Sequence, residues 1–156
     1  MLKRRKPLTA KADVSLREIT EETLSQILSL KVKRNQRQFV ASNAVSIAQA
    51  YFSKYAWFRA IYAHHTPVGF LMLYDDPDKP EYFLWRFMID KKHQGKGFGN
   101  QALQLLIAYV RTRPNATTLL LSFVPGEGSP EAFYQKSGFV KTGEQIEGEL
   151  VMKMTL

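Results

Sequence analysis

A mixed α/β fold, with a largely antiparallel sheet flanked by helices, is predicted by three features of the chain. From Asp13 onward, short apolar stretches with strand alternation interleave with stretches of helical spacing. The run Tyr82-Phe83-Leu84-Trp85-Arg86-Phe87-Met88-Ile89 is aromatic or apolar at nearly every position and reads as a central strand buried on both faces. Three glycines, at 95, 97 and 99, follow that strand and open an amphipathic helix.

Val14, Leu16 and Ile19 suggest a first strand, and Thr20 before Glu21 and Glu22 looks like a helix start with acids at the positive end of the dipole. Leu24, Ile27 and Leu28 then keep helical spacing. After a polar stretch from Lys33 to Gln38, Asn43 is a cap for a second helix carrying Ile47, Ala50 and Tyr51. Trp57 to Ala63 and Val68 to Tyr74 form a hairpin across His64-His65-Thr66-Pro67, and 75–80 is a turn cluster. Gln101 to Arg113 is a helix with Leu103, Leu106, Ile107 and Val110 on one face, stopped by Pro114. Thr118 to Phe123 is a buried strand, Glu131 to Ser137 a short helix ended by Gly138, and Phe139 to Thr142 pairs with Glu149 to Met154.

A chain of 156 residues, 45% hydrophobic and 23% charged, suits one soluble domain. No apolar run approaches the roughly 18 residues of a membrane span, and no secretory signal is present, so a cytoplasmic location without membrane association is expected. The absence of cysteine excludes disulfides, thiolate metal sites and a cysteine-linked intermediate. No metal site is expected: adjacent His64 and His65 would point to opposite faces of a strand. The net charge is +8, and five of its cations, Lys3, Arg4, Arg5, Lys6 and Lys11, lie in the first twelve residues. Residues 1–12 are therefore read as a flexible basic extension and 13–156 as the domain. A nucleic-acid contact would rest on that extension alone, and none is expected.

Glycines at 95, 97 and 99 let backbone amides approach an anion, and the free N–H groups of the following helix turn suit a pyrophosphate. His93, if protonated, and Lys96 would add positive potential. The spacing matches neither the dinucleotide fingerprint nor the P-loop; Leu119 stands where a ribose-binding acid would be expected.

Gln94-Gly95-Lys96-Gly97-Phe98-Gly99, after a strand ending Phe87-Met88-Ile89-Asp90, resembles the Q/R-x-x-G-x-G/A signature of GNAT acetyltransferases. Phe133-Tyr134-Gln135-Lys136-Ser137-Gly138-Phe139 resembles the family's F/L-Y-x-x-x-G-F element. The resemblance runs from about residue 13 to the C-terminus and implies a GNAT fold with a CoA cleft between the fourth and fifth strands. It implies that acetyl-CoA lies on Gln94 to Gly99 and along the backbone of Phe87, Met88 and Ile89. The amide near Met88 would polarise the thioester carbonyl, and Tyr134 would protonate the departing thiolate. Ser129 stands near the position where many relatives place a CoA-binding asparagine.

Where many relatives carry a glutamate on the fourth strand, this chain has Phe83, Leu84 and Trp85, so the general base is left open; Glu81 is the nearest carboxylate on that segment. Further stretches, among them 39–43, 84–90 and 125–130, are similar to bacterial spermine/spermidine acetyltransferases. The resemblance thus implies direct acetyl transfer to a small-molecule primary amine, a polyamine first, with a protein or peptide amine next. A non-catalytic acyl-CoA-binding module is the alternative from another class. Glu147 and Glu149, or Asp75, Asp76 and Asp78 with Glu81, would supply an acidic site for a cation, and Trp85 would line the acceptor pocket with Arg86 turned the other way. A homodimer is compatible with the sequence.

Overall fold

The computed structural model describes residues 7–9 and 11–156. The cations at 3–6 lie outside the described residues. Leu8 packs against the core and Ala12 is buried.

The elements follow the predicted order: β1 (Val14–Arg17), α1 (Leu24–Ser29), a 3-10 turn (Arg34–Gln36), α2 (Asn43–Tyr51), β2 (Ala56–Ala63), β3 (Thr66–Tyr74), β4 (Glu81–Ile89), α3 (Phe98–Arg111), β5 (Thr118–Phe123), α4 (Glu131–Lys136), β6 (Val140–Ile146) and β7 (Glu149–Thr155). They build a seven-stranded sheet in the order β1-β2-β3-β4-β5-β7-β6. Every neighbouring pair is antiparallel except β4 and β5.

The strand period divides the side chains between two cores. Leu71 and Leu73 of β3 face α3, where Phe98, Leu103, Leu106 and Val110 are all buried. Phe70 and Met72 face the other way, with Ile27 of α1 and Ala50 of α2. The strand buried completely on both faces is therefore β3. On β4, where that environment was expected, Phe83, Trp85, Phe87 and Ile89 stay half-exposed because they border a cleft.

Two helix starts differ from expectation. Helix α1 begins at Leu24, because Thr23 Oγ1 accepts the Thr20 N–H at 2.9 Å and closes a turn first. Ser42 caps α2 by accepting from the Val45 N–H at 3.2 Å. Asn43 is buried instead, and its Nδ2 donates to the Ile27 carbonyl at 2.9 Å, tying α2 to the end of α1. The hairpin histidines lie in the β2–β3 turn, His64 with φ of 52°.

The acids after β3 are structural. Asp75 accepts from Arg113 Nε at 2.9 Å and from the Tyr109 hydroxyl at 2.7 Å, stapling the end of β3 to α3. Asp76 is buried and accepts the Asp78 N–H at 3.0 Å. Asp75 and Asp76 are thus withdrawn from the acidic site considered for a cationic substrate.

Gly69 sits on β3 opposite Ile89. A Cβ there would collide with the Met88 carbonyl oxygen and stand 2.9 Å from Ile89 Cδ1. Gly69→Ala is expected to destabilise the fold by about 2–3 kcal/mol through forced strand separation. Urea unfolding measures it, and an unchanged midpoint would show that β4 yields without loss.

Candidate active site

The site begins where β4 and β5 part. Their parallel pairing runs from Glu81↔Thr118 to Leu84↔Leu121 and stops. At the same place the register between β3 and β4 slips: Leu73 pairs with Leu84, but Met72 pairs with Arg86. Trp85 is therefore the extra residue of a β-bulge, which bends β4 away from β5. The bulge also resets the alternation. Leu84 faces the α3 core and Phe87 packs against it, whereas Trp85 joins the opposite core and Arg86 turns to α2, its Nη2 donating to Gln49 Oε1 at 2.9 Å. Trp85 and Arg86, expected to point to opposite sides, share one face.

Beyond the bulge, the Asp90 N–H donates to the Val68 carbonyl at 2.7 Å. Antiparallel ladders alternate, so Met88 exchanges its hydrogen bonds with Phe70. The backbone groups that face the gap belong to Phe87 and Ile89. Within the stretch Phe87 to Ile89, Met88 turns its own amide to β3 and borders the cleft by other atoms.

The gap opens into a cleft of about 1080 Å³. One wall is the glycine segment. Gly97 has φ of 81° and caps α3, which therefore starts three residues earlier than expected, at Phe98. Gly95 has φ of 76°, and a Cβ at either position would meet nothing within 4 Å, so both backbones stand open. Gly99 differs: its Cβ would lie 3.5 Å from both Ile89 and Phe133, so it serves close packing. The amides at the start of α3 have no partner within the helix.

The side chains of this segment divide. Gln94 Nε2 donates to the Ile89 carbonyl at 2.9 Å and to Gln36 Oε1 at 2.8 Å, while Gln36 Nε2 returns a bond to Gln94 Oε1 at 3.1 Å. Gln94 borders the cleft, but its amide is spent on fastening the strand end to the 3-10 turn. Phe98 borders the cleft and is almost wholly buried, so any contact to a ligand there comes through its backbone. Lys96 is absent from the lining among the described residues. His93 lines the cleft, and burial, followed by nearby Lys96, holds its pKa below the ordinary value. That direction favours the neutral imidazole at pH 7, so the condition on which His93 would add positive potential is disfavoured.

Tyr134 enters from α4. Gly138, with φ of 104°, ends that helix: the Phe139 N–H bonds the Tyr134 carbonyl at 3.0 Å and the Gly138 N–H bonds the Gln135 carbonyl at 3.1 Å. This is a Schellman cap, and it brings the Tyr134 and Phe139 rings edge to face at 5.7 Å. Phe133 stacks on Phe87 with centroids 5.9 Å apart. Tyr134 is 7% exposed and reaches the cleft, and burial pushes its phenol far above the ordinary value. Among the described residues its hydroxyl has no hydrogen-bond partner.

Ser129 lines the opposite rim, where Gly128 approaches Phe39. Arg37, Gln38, Phe39, Val40 and Ala41 form a further wall; the resemblance put the segment holding Arg37 beside the acceptor cleft, although its cations alone read as a solvated helix face. Glu147, in the β6–β7 turn, and Glu149, the first residue of β7, also line the cleft. Glu81 does not. It lies at the start of β4 in a separate depression of about 590 Å³, which shares Phe83 and Trp85 with the cleft.

Among the described residues no group of three or more His, Asp or Glu is placed to hold a metal, and no helix is long and apolar enough to cross a membrane. Residues 17–139 match the model of the acetyltransferase (GNAT) family. A spermine/spermidine N(1)-acetyltransferase of Bacillus subtilis is 30% identical over 146 residues, covering 89% of this chain and 96% of that protein. An acetyltransferase from Thermus thermophilus superposes with a TM-score of 0.73 at 18% identity, over 96% of this chain and 98% of that one. An N-acetyltransferase from Thermoplasma acidophilum, in complex with coenzyme A, superposes with a TM-score of 0.67 at 15% identity, over 92% and 99%. Parted strands, glycine-lined helix start and capped tyrosine helix thus stand in a chain that belongs to the GNAT acetyltransferase family.

Proposed function

We propose that this protein transfers acetyl from acetyl-CoA directly to a primary amine, with a small polyamine as acceptor. The observation that carries the reading is Tyr134, a buried side chain that lines the cleft and whose hydroxyl has no hydrogen-bond partner among the described residues. That hydroxyl opens onto the cleft, where a bound ligand can complete it.

The fit to CoA rests on the chain's own donors. The open amides of Gly95 to Gly99 and the dipole of α3 suit a pyrophosphate. The Phe87 backbone and the Ile89 N–H, unpaired among the described residues, suit an amide-bearing arm laid along β4, as an added strand would lie. Acetyl-CoA supplies the activated thioester. The Phe87 N–H is the donor nearest the bend and takes the role of stabilising charge on the acyl oxygen. The amine nitrogen bonds to the acyl carbon as the C–S bond breaks, and the phenol of Tyr134 gives its proton to the leaving sulfur. Solvent then restores that proton.

The acceptor must first lose the proton of its ammonium. Phe83 and Leu84 offer no base, so that proton leaves through water in the cleft, beside Glu147 and Glu149. Those carboxylates also give a cation a local attraction that the net charge of +8 does not. The Bacillus relative's name is in keeping with this acceptor.

Tyr134→Phe is expected to lower kcat by about 10²-fold while CoA affinity stays within about twofold. Steady-state kinetics and calorimetry separate the two, and a parallel loss of CoA binding would make Tyr134 a packing residue. Because burial raises its pKa, Tyr134 keeps its proton above pH 10. The rate should therefore climb with pH from 7 to 9.5 as the acceptor deprotonates, without an alkaline fall. Gly97→Val places a branched side chain at positive φ on the open wall; a folded protein that no longer binds CoA is expected. Normal CoA titration into that variant would remove the glycine segment from the site.

A further inference from the structure

We infer that the separate depression at the start of β4 seats the distal ammonium group of an extended polyamine; this rests on the amine-acetyltransferase reading above. The depression lies on the sheet face covered by α1 and α2, but those helices pack on β3 and β2. The strip over β4 and β5 is left bare, so Phe83 and Leu120 stay half-exposed. Tyr74 and Trp85 stand edge to face at 6.4 Å and complete an aromatic surface. An apolar hollow of this kind, joined to a reaction cleft through Phe83 and Trp85, suits a methylene chain.

Two charged side chains line it. Glu81 is exposed and has no ion-pair partner among the described residues, while Lys79 stands at the same hollow with the opposite sign. A carboxylate beside aromatic rings is the chemistry that recognises an alkylammonium ion.

The spacing selects length. Glu149 acts electrostatically on Arg86, the residue before Phe87, so this inner acid stands at the Phe87 end of β4. Glu81 lies six residues back along β4, one of them the bulged Trp85, roughly 17 Å at strand rise. An acceptor whose reacting end lies beside Phe87 and Glu149 reaches Glu81 only if it is a long, extended polyamine. A four-carbon diamine does not span that distance. The inner acids and Glu81 would thus read two ammonium groups of one chain, and the apolar strip the methylenes between them.

Calorimetric titration of spermine and of 1,4-diaminobutane into the CoA-loaded protein, with acetylation rates for both amines, tests this. In Glu81→Gln the ratio of spermine affinity to diaminobutane affinity is expected to fall about tenfold, the effect of one charge-assisted contact. In Lys79→Ala the same ratio is expected to rise, a sign that a merely structural role would not produce. An unchanged ratio in both variants, or equal weakening toward both amines, would overturn the distal seat. If the wild-type protein acetylates both amines with a ratio indifferent to Glu81, the amine-transfer reading stands and the seat falls. If it acetylates neither, yet spermine binds with the expected dependence on Glu81, the seat stands and the transfer reading falls.

Discussion

The parting of β4 from β5 beyond Leu84 is the constraint on which the site depends. A backbone amide removed from water needs a partner, and a central strand ordinarily finds one on each side. Here the bulge at Trp85 ends the pairing on one side only, while the ladder to β3 continues to Ile89. The chain thereby keeps an internal strand edge inside a folded domain. The far end of the edge is fixed twice at Ile89: Gln94 anchors its carbonyl, and Gly69 opposite lets β3 press close behind.

The same bend decides what the side chains do. Without the slip, Trp85 and Arg86 would alternate, and one of them would enter the α3 core. With it, both stand on the α2 face, and Arg86 reaches Gln49. Phe87 then falls into contact with Phe133, one residue before Tyr134. The position of the buried phenol therefore follows from the bulge through aromatic packing and from Gly138 through the helix cap. Its high pKa is a consequence of the same packing, since desolvation is its only perturbing influence.

Much of this was legible in the sequence because it rests on local chemistry. Strand and helix periods, the turn cluster and the glycines at 97 and 138 each have a short-range cause. The element order and the mixed sheet followed from them. What escaped depends on pairing across the sheet. A one-residue bulge has no composition signature in a run as uniformly apolar as 82–89, so neither the shared face of Trp85 and Arg86 nor the orientation of the Met88 amide could be read. Asp75 looked like a free turn acid because its partners, Tyr109 and Arg113, lie more than thirty residues away. The wall formed by Arg37 to Ala41 was legible only through the family resemblance, because a polar stretch by itself names its cleft only when the strand it faces is known.

Charge shows most clearly why placement outweighs composition. The chain carries +8, which taken as a single value would repel a cationic acceptor. Yet at physiological ionic strength fields from exposed charges fade over about 8 Å. Within that reach the groove is governed by its own residues: Glu147 and Glu149 at one end, Glu81 against Lys79 at the other, and His93 held neutral by burial. Arg86, donating to Gln49 and to the Trp85 carbonyl, keeps its charge beside Glu149 and offsets that acid in part, which leaves Glu147 as the less compensated carboxylate. Recognition of a cation by this basic chain is therefore a matter of local carboxylates on a bare apolar strip, and the strip is bare because β4 is bent where α1 and α2 do not reach.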